Sequence, residues 1–353
     1  MMFDVTNPTG LRWIARTDSV GGSYCLAERV EMPNIPAEWL DCVVFLYENK
    51  DAAQKGAPYG GTGYIASVTS EICTHLYIVT NAHAVERGAA VRVNLRGGGF
   101  AVLNIPPGNW YDHPAGDDVS VAPVVLENAS YRLTAFPADW LLTDVAPLTV
   151  GDDCFFMGRH IWLDGKQRNT PSVRFGNISM LDAEPVWQKG RGFYQESIVV
   201  EARSLGGFSG SPVFTYRDNS FGVATGDGDQ SALSAVPIHG GWVTLLGIDW
   251  GHMSAREALE APGMDMPRED KDMALNSGMM LVVPGWKIRE ALNRQDLVRM
   301  REEAERKIQE ADESAGAVMD SATADDRVSL KPLDPATALR ALLNVKPESG
   351  DEA

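Results

Sequence analysis

The chain has 353 residues, of which 44% are hydrophobic and 22% are charged, and its formal net charge is −17. These proportions are typical of a globular protein with a real core and exclude wholesale disorder. A net negative charge of this size repels nucleic acid and anionic membranes, so we expect neither as a partner.

The sequence carries no signal for a membrane helix or a secretory leader. No stretch approaches the roughly 18 uninterrupted apolar residues that a membrane helix needs, and the first residues lack a basic start followed by an apolar run. The four cysteines are scattered, and none belongs to a CxxC pair. Sparse thiols without a leader are typical of a reducing compartment, so we expect a cytoplasmic protein.

Residues from about 41 to 283 are expected to be mainly β. Short runs rich in β-branched and aromatic residues alternate there with Gly, Pro, Asn and Asp, which is typical of strands separated by turns. The clearest runs are 42–47, 63–68, 76–80, 91–95 and 197–202. Long helical periodicity is missing, so the pattern predicts a barrel or sandwich, and some 240 residues suffice for two small barrels.

The first segment with chemical potential is a β-rich run that ends in Asn-Ala-His-Ala at 81–84. A histidine at the end of a strand has a fixed backbone while its imidazole is free to face a cleft. The second segment is an alternating strand that opens with the adjacent carboxylates of Asp117 and Asp118. Because neighbouring side chains on a strand point to opposite faces, we expect only one of the two to face that cleft.

The third segment is Gly-Gly-Phe-Ser-Gly-Ser-Pro at 206–212. A serine hydroxyl is a poor nucleophile unless a base takes its proton, and its reaction with a carbonyl needs donors for the developing oxyanion. Consecutive backbone N–H groups of a tight turn supply such donors only where side chains do not crowd the approach, which favours glycine. The N–H groups of Gly207 and Ser209 suit that role; the alternative is an ordinary turn with a surface serine.

Helical periodicity begins only after Pro284. The apolar positions recur at spacings of three and four, at Leu297, Met300, Ala304, Ile308 and Ala311. Beyond Ser314 the composition turns to Ser, Ala, Asp and Gly, which predicts a flexible acidic tail. One short helical island follows in that tail, and its single apolar face suggests docking in cis or onto a protein partner. The island's apolar residues are Leu339, Leu342 and Leu343.

Taken together, Thr-Asn-Ala-His-Ala at 80–84, Asp-Val-Ser-Val at 118–121 and Gly-Phe-Ser-Gly-Ser-Pro at 207–212 resemble the three active-site blocks of the chymotrypsin/trypsin-like serine peptidases. The chain order His, Asp, Ser is that family's order and differs from the order in subtilisins and α/β-hydrolases. The Gly-Thr-Gly-Tyr strand at 61–64 extends the resemblance, which covers roughly residues 41–295.

The resemblance implies an all-β fold of two antiparallel β-barrels with the active site in the groove between them. The barrels would occupy about 41–160 and 170–285, and a closing helix would follow at 286–295. An N-terminal extension at 1–40 would pack on the outside, and a helical extension with a partly disordered acidic tail would occupy 296–353.

The resemblance also implies a serine endopeptidase that acts on polypeptides through an acyl-enzyme, without a metal or other cofactor. His83 would be the general base and then the general acid, Asp118 would orient it, and Ser209 would be the nucleophile. The N–H groups of Gly207 and Ser209 would form the oxyanion hole. Asp117 is the rival for the acid; the family's pattern, an acid directly before an apolar residue, favours Asp118.

Substrate-binding residues are also implied by the resemblance. Arg203 would lie near the floor of the primary pocket, while Asp249, Trp250 and Gly251 would lie on the strand that pairs with substrate backbone. A buried Arg203 would favour an acidic substrate side chain, and an Arg203 turned into solvent is equally compatible. The Gly-Asp-Gly-Asp at 226–229 lacks the further ligands of a calcium loop and is expected to be a turn.

Two departures from the family qualify the resemblance. Phe208 stands where the secreted, zymogen-activated members have an aspartate that binds a freed N-terminus, and no cysteine follows His83 to form the usual local disulfide. We therefore expect the bacterial or intracellular branch, without activation by N-terminal cleavage. The alternative function is a catalytically dormant domain that binds proteins and is recruited through its C-terminal tail.

Overall fold

The computed structural model of the chain describes most of the region in which strands were predicted. The described residues are 5–6, 11–17, 23–29, 35–126, 129–146, 148–163, 165–182, 184–202, 204, 206–218, 236–238, 241–254 and 276–321. Several predictions fall outside them, namely those on Arg203, the turn at 226–229, and Leu339, Leu342 and Leu343. The chain divides into two compact units, Met1–Arg301 and Glu302–Ala353.

The N-terminal extension contains a small antiparallel sheet of its own. Its strands lie in the order β1-β2-β3, and they are β1 (Val5–Thr6), β2 (Leu11–Thr17) and β3 (Ser23–Arg29). The register pairs Leu11 with Arg29 and Thr17 with Ser23, so β2 and β3 form a regular hairpin ladder.

The first large sheet is built mostly from antiparallel neighbours in the order β8-β7-β4-β5-β6-β10-β9, and β11 is added parallel to β5. Its elements are β4 (Val43–Tyr47), α1 (Lys50–Lys55), β5 (Thr62–Thr69), β6 (Thr74–Thr80), β7 (Ala89–Asn94), β8 (Phe100–Ile105), β9 (Tyr111–Asp112), β10 (Ser120–Val124) and β11 (Phe136–Pro137). The strands β4 and β5 are buried over nearly their whole length, so both faces of this half-barrel are covered.

The second large sheet closes on itself. Six strands pair in the order β12-β13-β16-β20-β19-β17, and β17 pairs again with β12. The strands of this barrel are β12 (Asp153–Gly158), β13 (Ser172–Met180), β16 (Ile198–Glu201), β17 (Pro212–Asp218), β19 (Gly241–Ser254) and β20 (Asn276–Pro284). A separate hairpin leaves it between β13 and β16, and its strands are β14 (Val186–Gln188) and β15 (Phe193–Gln195). The short β18 (Val236–Ile238) pairs with β19.

The predicted all-β fold with two barrels is confirmed, with one difference in detail. The second sheet is a closed six-stranded barrel, whereas β8 and β9 end the first sheet without meeting in the described residues. Short alternating runs separated by Gly and Pro are sufficient to indicate strands, but closure depends on the pairing of strands that are distant in the chain.

Trp39 packs inside the molecule, although we expected the residues up to 40 to pack on its outside. It lies in a 3₁₀ turn, Ala37–Cys42, and is 8% exposed. Its ring contacts Phe136 of the first sheet at 5.2 Å between centroids, and Phe155 and Phe214 of the second at 6.4 and 5.8 Å. A large indole gains most by burial, and the space between the two sheets accommodates it.

The predicted closing helix is present as α2 (Gly285–Leu292), which ends earlier than the expected residue 295. After a break at Asn293 the chain continues as α3 (Gln295–Ser321), so the flexible segment predicted to begin after Ser314 is helical up to Ser321. In the first unit, Leu297 is fully buried. Among the described helices we find none with the length and apolar content to cross a lipid bilayer.

Candidate active site

His83 lies in a 3₁₀ turn, Ala82–Ala84, directly after β6. The antiparallel partner of β6 is β10, with Thr80 opposite Ser120. The chain that leaves β6 and the chain that enters β10 therefore run side by side, which brings residues just after 80 close to those just before 120. The Asn81 side chain strengthens this join by donating to the Asp118 carbonyl oxygen at 2.9 Å.

His83 and Asp118 are joined by two hydrogen bonds. The His83 Nδ1 atom lies 2.6 Å from Asp118 Oδ2, and the His83 backbone N–H donates to Oδ1 at 3.0 Å. An ionised carboxylate only accepts, so Nδ1 carries the proton and Nε2 is left as the free acceptor of the neutral ring. The side chain of Asp118 is fully buried, whereas that of His83 is 33% exposed, so the ring faces the cleft.

The pKa values of this pair are shifted apart. Burial by itself lowers the pKa of His83, but the hydrogen bond and charge of Asp118 outweigh burial and raise it above the usual value. Burial by itself raises the pKa of Asp118, but the hydrogen bond and charge of His83 lower it to about 2. Asp118 is therefore ionised at any pH at which His83 is neutral.

Asp117, the rival for the acid, faces a different set of partners. Its Oδ2 atom lies 3.1 Å from His113 Nδ1 and 3.3 Å from the Lys287 amine of α2. Burial raises the pKa of Asp117, but the hydrogen bond from His113 and the charge of Lys287 bring it below the usual value. The structure thus sets Asp118, and not Asp117, against His83, as strand alternation requires of one of the two.

Asp118 has three further polar partners on the hairpin β14–β15, two at its carboxylate and one at its backbone N–H, and sequence reasoning missed all of them. Gln188 Nε2 donates to Oδ2 at 2.7 Å and Arg191 Nη1 donates to Oδ1 at 2.8 Å. Gln195 Oε1 accepts from the Asp118 backbone N–H at 2.7 Å. A Gln-rich hairpin has no spacing that points to an aspartate seventy or more residues earlier in the chain, so no local pattern could have found them.

The turn that carries Ser209 depends on glycine at two positions. Gly207 has a φ of 99° and Gly210 a φ of 86°, in the left-handed region that other residues rarely adopt. A Cβ on Gly207 would lie 2.4 Å from the Ile161 side chain, and one on Gly210 would lie 2.0 Å from the Thr62 carbonyl oxygen. The tight glycine-rich turn predicted from the sequence is therefore required both by backbone conformation and by crowding.

Both large sheets hold this turn in place. From the first sheet, the Thr62 backbone N–H donates to the Ser209 carbonyl oxygen at 2.8 Å. The Thr62 hydroxyl donates to the Gly207 carbonyl oxygen at 2.6 Å. From the barrel, the Asp249 carbonyl oxygen accepts from the Gly210 N–H at 2.7 Å. Ser209 is thereby held between the two sheets. A Cβ on Gly61 would lie 3.1 Å from the Ser209 carbonyl oxygen and 3.6 Å from the Ala84 Cβ, so Gly61 lies between Ser209 and Ala84.

The carbonyl oxygens of Gly207 and Ser209 are bound by Thr62, whereas their N–H groups are not engaged in the described residues. Among the described residues, neither the Gly207 N–H nor the Ser209 N–H donates to another protein group. The Ser209 hydroxyl, likewise, makes no hydrogen bond to the His83 ring within that part of the chain. The structure thus brings His83 and Asp118 into direct contact and places Ser209 across Gly61 from Ala84, the residue that follows His83.

Phe208 anchors the turn by apolar burial. Its side chain is fully buried and meets Phe156 edge to face at 5.4 Å between ring centroids. The Arg174 guanidinium lies 5.3 Å from the Phe208 ring centre. An aspartate at this position would need a cationic partner, whereas phenylalanine holds the turn without one.

The side chains of Asp249 and Trp250 are directed inward. The Asp249 carboxyl is fully buried and accepts from the Ser204 hydroxyl at 2.5 Å and from the Gly251 N–H at 2.9 Å. Burial raises its pKa to about 7, and the hydrogen bond from Ser204 opposes that shift. Trp250 Nε1 donates to Ser197 Oγ at 3.0 Å.

The backbone of the same segment has one open edge. Residues 247–254 of β19 pair with β20 on one side, while β17 pairs on the other side only as far as Ile248. Beyond Asp249 no described strand covers that second edge, and the Gly251 N–H is bonded to the Asp249 carboxyl. Arg203, predicted at the pocket floor, lies outside the described residues.

Comparison with known proteins gives one match. A family model described as a trypsin-like peptidase domain matches residues 61–223, just under half of the chain, and this span includes His83, Asp118 and Ser209. No curated protein matches the chain at a significant level. The match begins at the strand that follows Gly60 and extends past the glycine-rich turn, so it covers all three blocks on which the sequence resemblance depends.

Proposed function

We propose that the chain is a serine endopeptidase of the chymotrypsin/trypsin-like family and that it acts through an acyl-enzyme at Ser209. The observation that supports the proposal most is the hydrogen-bonded pair of His83 and Asp118 beside a turn whose Gly207 and Ser209 amides are unengaged in the described structure. These are the three requirements of the reaction: a base, an acid that orients it, and donors for an oxyanion.

In the first half of the proposed reaction, His83 Nε2 takes the hydroxyl proton of Ser209 as Oγ bonds to the scissile carbonyl carbon. The oxyanion of the tetrahedral intermediate accepts from the N–H groups of Gly207 and Ser209. Asp118 stabilises the imidazolium, which then gives its proton to the leaving amine as the C–N bond breaks. In the second half, water attacks the acyl-enzyme through the same base and releases the acid product.

The proposed substrate is a polypeptide in extended form. The second edge of β19 beside Trp250 is not covered by a described strand, and the backbone of an extended chain suits such an edge. The Asp249 carboxyl is buried and accepts from the Gly251 N–H, so we assign to this segment only contacts through its remaining backbone groups.

The second candidate function is a dormant domain that binds proteins without cleaving them. It is favoured by one observation, the lack of a hydrogen bond between the Ser209 hydroxyl and the His83 ring in the described residues. A covalent probe separates the two candidates, because only an activated serine reacts with a fluorophosphonate.

We predict that the wild-type protein is labelled by a fluorophosphonate probe at one site and that Ser209→Ala abolishes labelling. Ser130→Ala is the matched control: it removes the same hydroxyl from an exposed loop and should leave labelling unchanged. New N-termini released from a mixed protein substrate should depend on Ser209 in the same way. Peptide cleavage that survives Ser209→Ala would refute the mechanism, and a wild-type protein that neither labels nor cleaves would favour the dormant domain.

A further inference from the structure

The hairpin β14–β15 presents buried polar side chains to the segment that precedes β10. Gln188 and Gln195 are 8% and 0% exposed, which is unusual for glutamine; both amide nitrogens are hydrogen-bonded, while Gln188 Oε1 has no partner in the described residues. The connecting turn is held by N–H groups of Arg191 and Gly192 that donate to the Gln188 carbonyl oxygen at 3.2 and 2.9 Å. Across the strands the rings of Trp187 and Tyr194 are 5.0 Å apart, so the hairpin is packed on itself.

The hairpin completes the coordination of the Asp118 carboxylate. Oδ1 accepts from the His83 backbone N–H at 3.0 Å and from Arg191 Nη1 at 2.8 Å. Oδ2 accepts from His83 Nδ1 at 2.6 Å and from Gln188 Nε2 at 2.7 Å. A carboxylate has about four lone-pair sites, and here each one has a donor. Neither hairpin donor displaces His83, so the contacts orient the acid without competing with the base.

Arg191 is itself held in place. Its Nη2 atom donates to the Gly116 carbonyl oxygen at 3.1 Å while Nη1 donates to Asp118, so the planar guanidinium spans two acceptors. The side chain is only 17% exposed. A guanidinium remains charged at every pH at which a protein is folded, so this position supplies a permanent positive charge beside the acid.

Charged groups on several elements act on His83. Burial of the ring and the charge of Arg191 lower its pKa, whereas Asp118 and Glu86 raise it. Asp249 of β19 also lies within electrostatic range of the ring, since the charge of His83 lowers the pKa of that carboxyl.

The neighbouring carboxylate, Asp117, has its own cations. It is paired with Lys287 and His113 on the far side of the segment, and Lys287 also pairs with Glu196. The Arg191 guanidinium is thus directed to Asp118 and not to Asp117.

We propose that Arg191 and Gln188 are positioning residues of the active site, which fix Asp118 against His83, and that the Arg191 charge opposes protonation of the His83 ring. The catalytic importance of this arrangement rests on the proposed peptidase function. Its physical basis is the low dielectric of a buried site, in which one fixed cation partly cancels the effect of the carboxylate on the base.

The test compares Arg191→Gln and Arg191→Met, which remove the charge with and without a remaining donor, with Arg191→Lys, which keeps the charge. We expect the His83 ring, followed by NMR of ¹³C-labelled histidine and assigned with His83→Ala, to titrate about half a pH unit higher in the two neutral variants. The pH at which fluorophosphonate labelling reaches half its maximum should move upward by the same amount. In Arg191→Lys, the titration of the His83 ring should stay closer to that in the wild type.

The matched control is Arg132→Gln, which breaks a similar ion pair, that with Asp41 at 2.8 Å, away from His83. It should leave the titration unchanged. The proposal is overturned if the neutral Arg191 variants titrate like this control, or if both fail to fold, since the role would then be structural. If the wild type is not labelled while the His83 titration still moves in the Arg191 variants, the peptidase function fails and the assignment of Arg191 stands.

Discussion

At the scale of single residues, the environment of each carboxyl near the site decides its charge. Asp118 has four donors, which lower its pKa to about 2, whereas Asp249 has two and complete burial, which raises its pKa to about 7. The same side chain is therefore a permanent anion at one position and a proton-binding group at the other. Burial penalises the charged form, and only a sufficient number of donors or cations reverses that penalty.

Asp249→Asn should change how the stability of the protein depends on pH. The folded state of the wild type binds a proton at Asp249 more tightly than the unfolded state does. The contribution of this group to the free energy of unfolding is therefore complete below about pH 4 and is lost as the pH rises through about 7. Asparagine can still donate to Ser204 and accept from Gly251, and it does not ionise. We expect the free energy of unfolding of the variant, relative to the wild type, to increase between those pH values.

Urea denaturation at a series of pH values measures this difference directly. A difference between Asp249→Asn and the wild type that is constant over the whole range would contradict the prediction.

At the scale of elements, the candidate site is formed by two segments: the join of β6 with β10, and the turn before β17. The end of β6 and the start of β10 join His83 to Asp118 because the strands are antiparallel neighbours. The turn before β17 is held by Thr62 at the start of β5 and by Asp249 of β19. The candidate catalytic residues therefore lie at or near the ends of regular strands, where strands from both sheets come together.

Gly207→Ala should impair the oxyanion donors. The alanine Cβ would lie 2.4 Å from the Ile161 side chain and 2.8 Å from the Arg159 carbonyl oxygen, so the turn must shift and its N–H groups with it. The loss of one oxyanion donor typically costs about 10²–10³ in rate, and we expect the rate of fluorophosphonate labelling to fall by about that factor.

Gly151→Ala is the control for this prediction. Gly151 has a φ of 96°, close to the 99° of Gly207, but a Cβ there would meet no atom within 4 Å. Both variants carry the backbone strain of about 1–2 kcal/mol that a left-handed residue with a Cβ incurs, and only Gly207→Ala should lose labelling. Equal labelling by the two variants would contradict the assignment of the oxyanion turn.

At the scale of the whole molecule, the two large sheets share one core. Trp39, which precedes β4, contacts Phe136 of the first sheet and Phe214 of the second. Since the proposed active-site residues are divided between the same two sheets, we expect packing at this junction to influence the position of Ser209 relative to His83. The predicted docking role of the tail and the expected cytoplasmic location stay predictions.

Trp39→Ala should destabilise the first unit by about 3–5 kcal/mol, the usual cost of truncating a buried aromatic residue. The control is Trp162→Ala, which removes an indole that is 76% exposed and should change the free energy of unfolding by no more than about 0.5 kcal/mol. Thermal or urea unfolding of the two variants measures the contrast. Equal stabilities would mean that the junction between the sheets does not depend on Trp39.

The sequence by itself was enough to indicate the mainly β region, five of its strands, the histidine at the end of a strand and the glycine-rich turn, because each depends on residues that are neighbours in the chain. The three strands of the N-terminal extension were not predicted. Gly207 and Gly210 show this clearly, since their positive φ values are local requirements. Even the preference for Asp118 over Asp117 followed from a short pattern, and the contact with His83 agrees with it.

Tertiary structure alone decided what surrounds those residues. Gln188 and Arg191 reach Asp118 from a hairpin seventy or more positions away, and Asp249 becomes buried because β19 lies between β17 and β20. Trp39 is buried because it packs against Phe136 of the first sheet and Phe214 of the second. Burial and long-range pairing are properties of the packed chain. Local propensities depend on adjacent residues only, so they do not indicate which distant residue will donate to a carboxylate or pack against an indole.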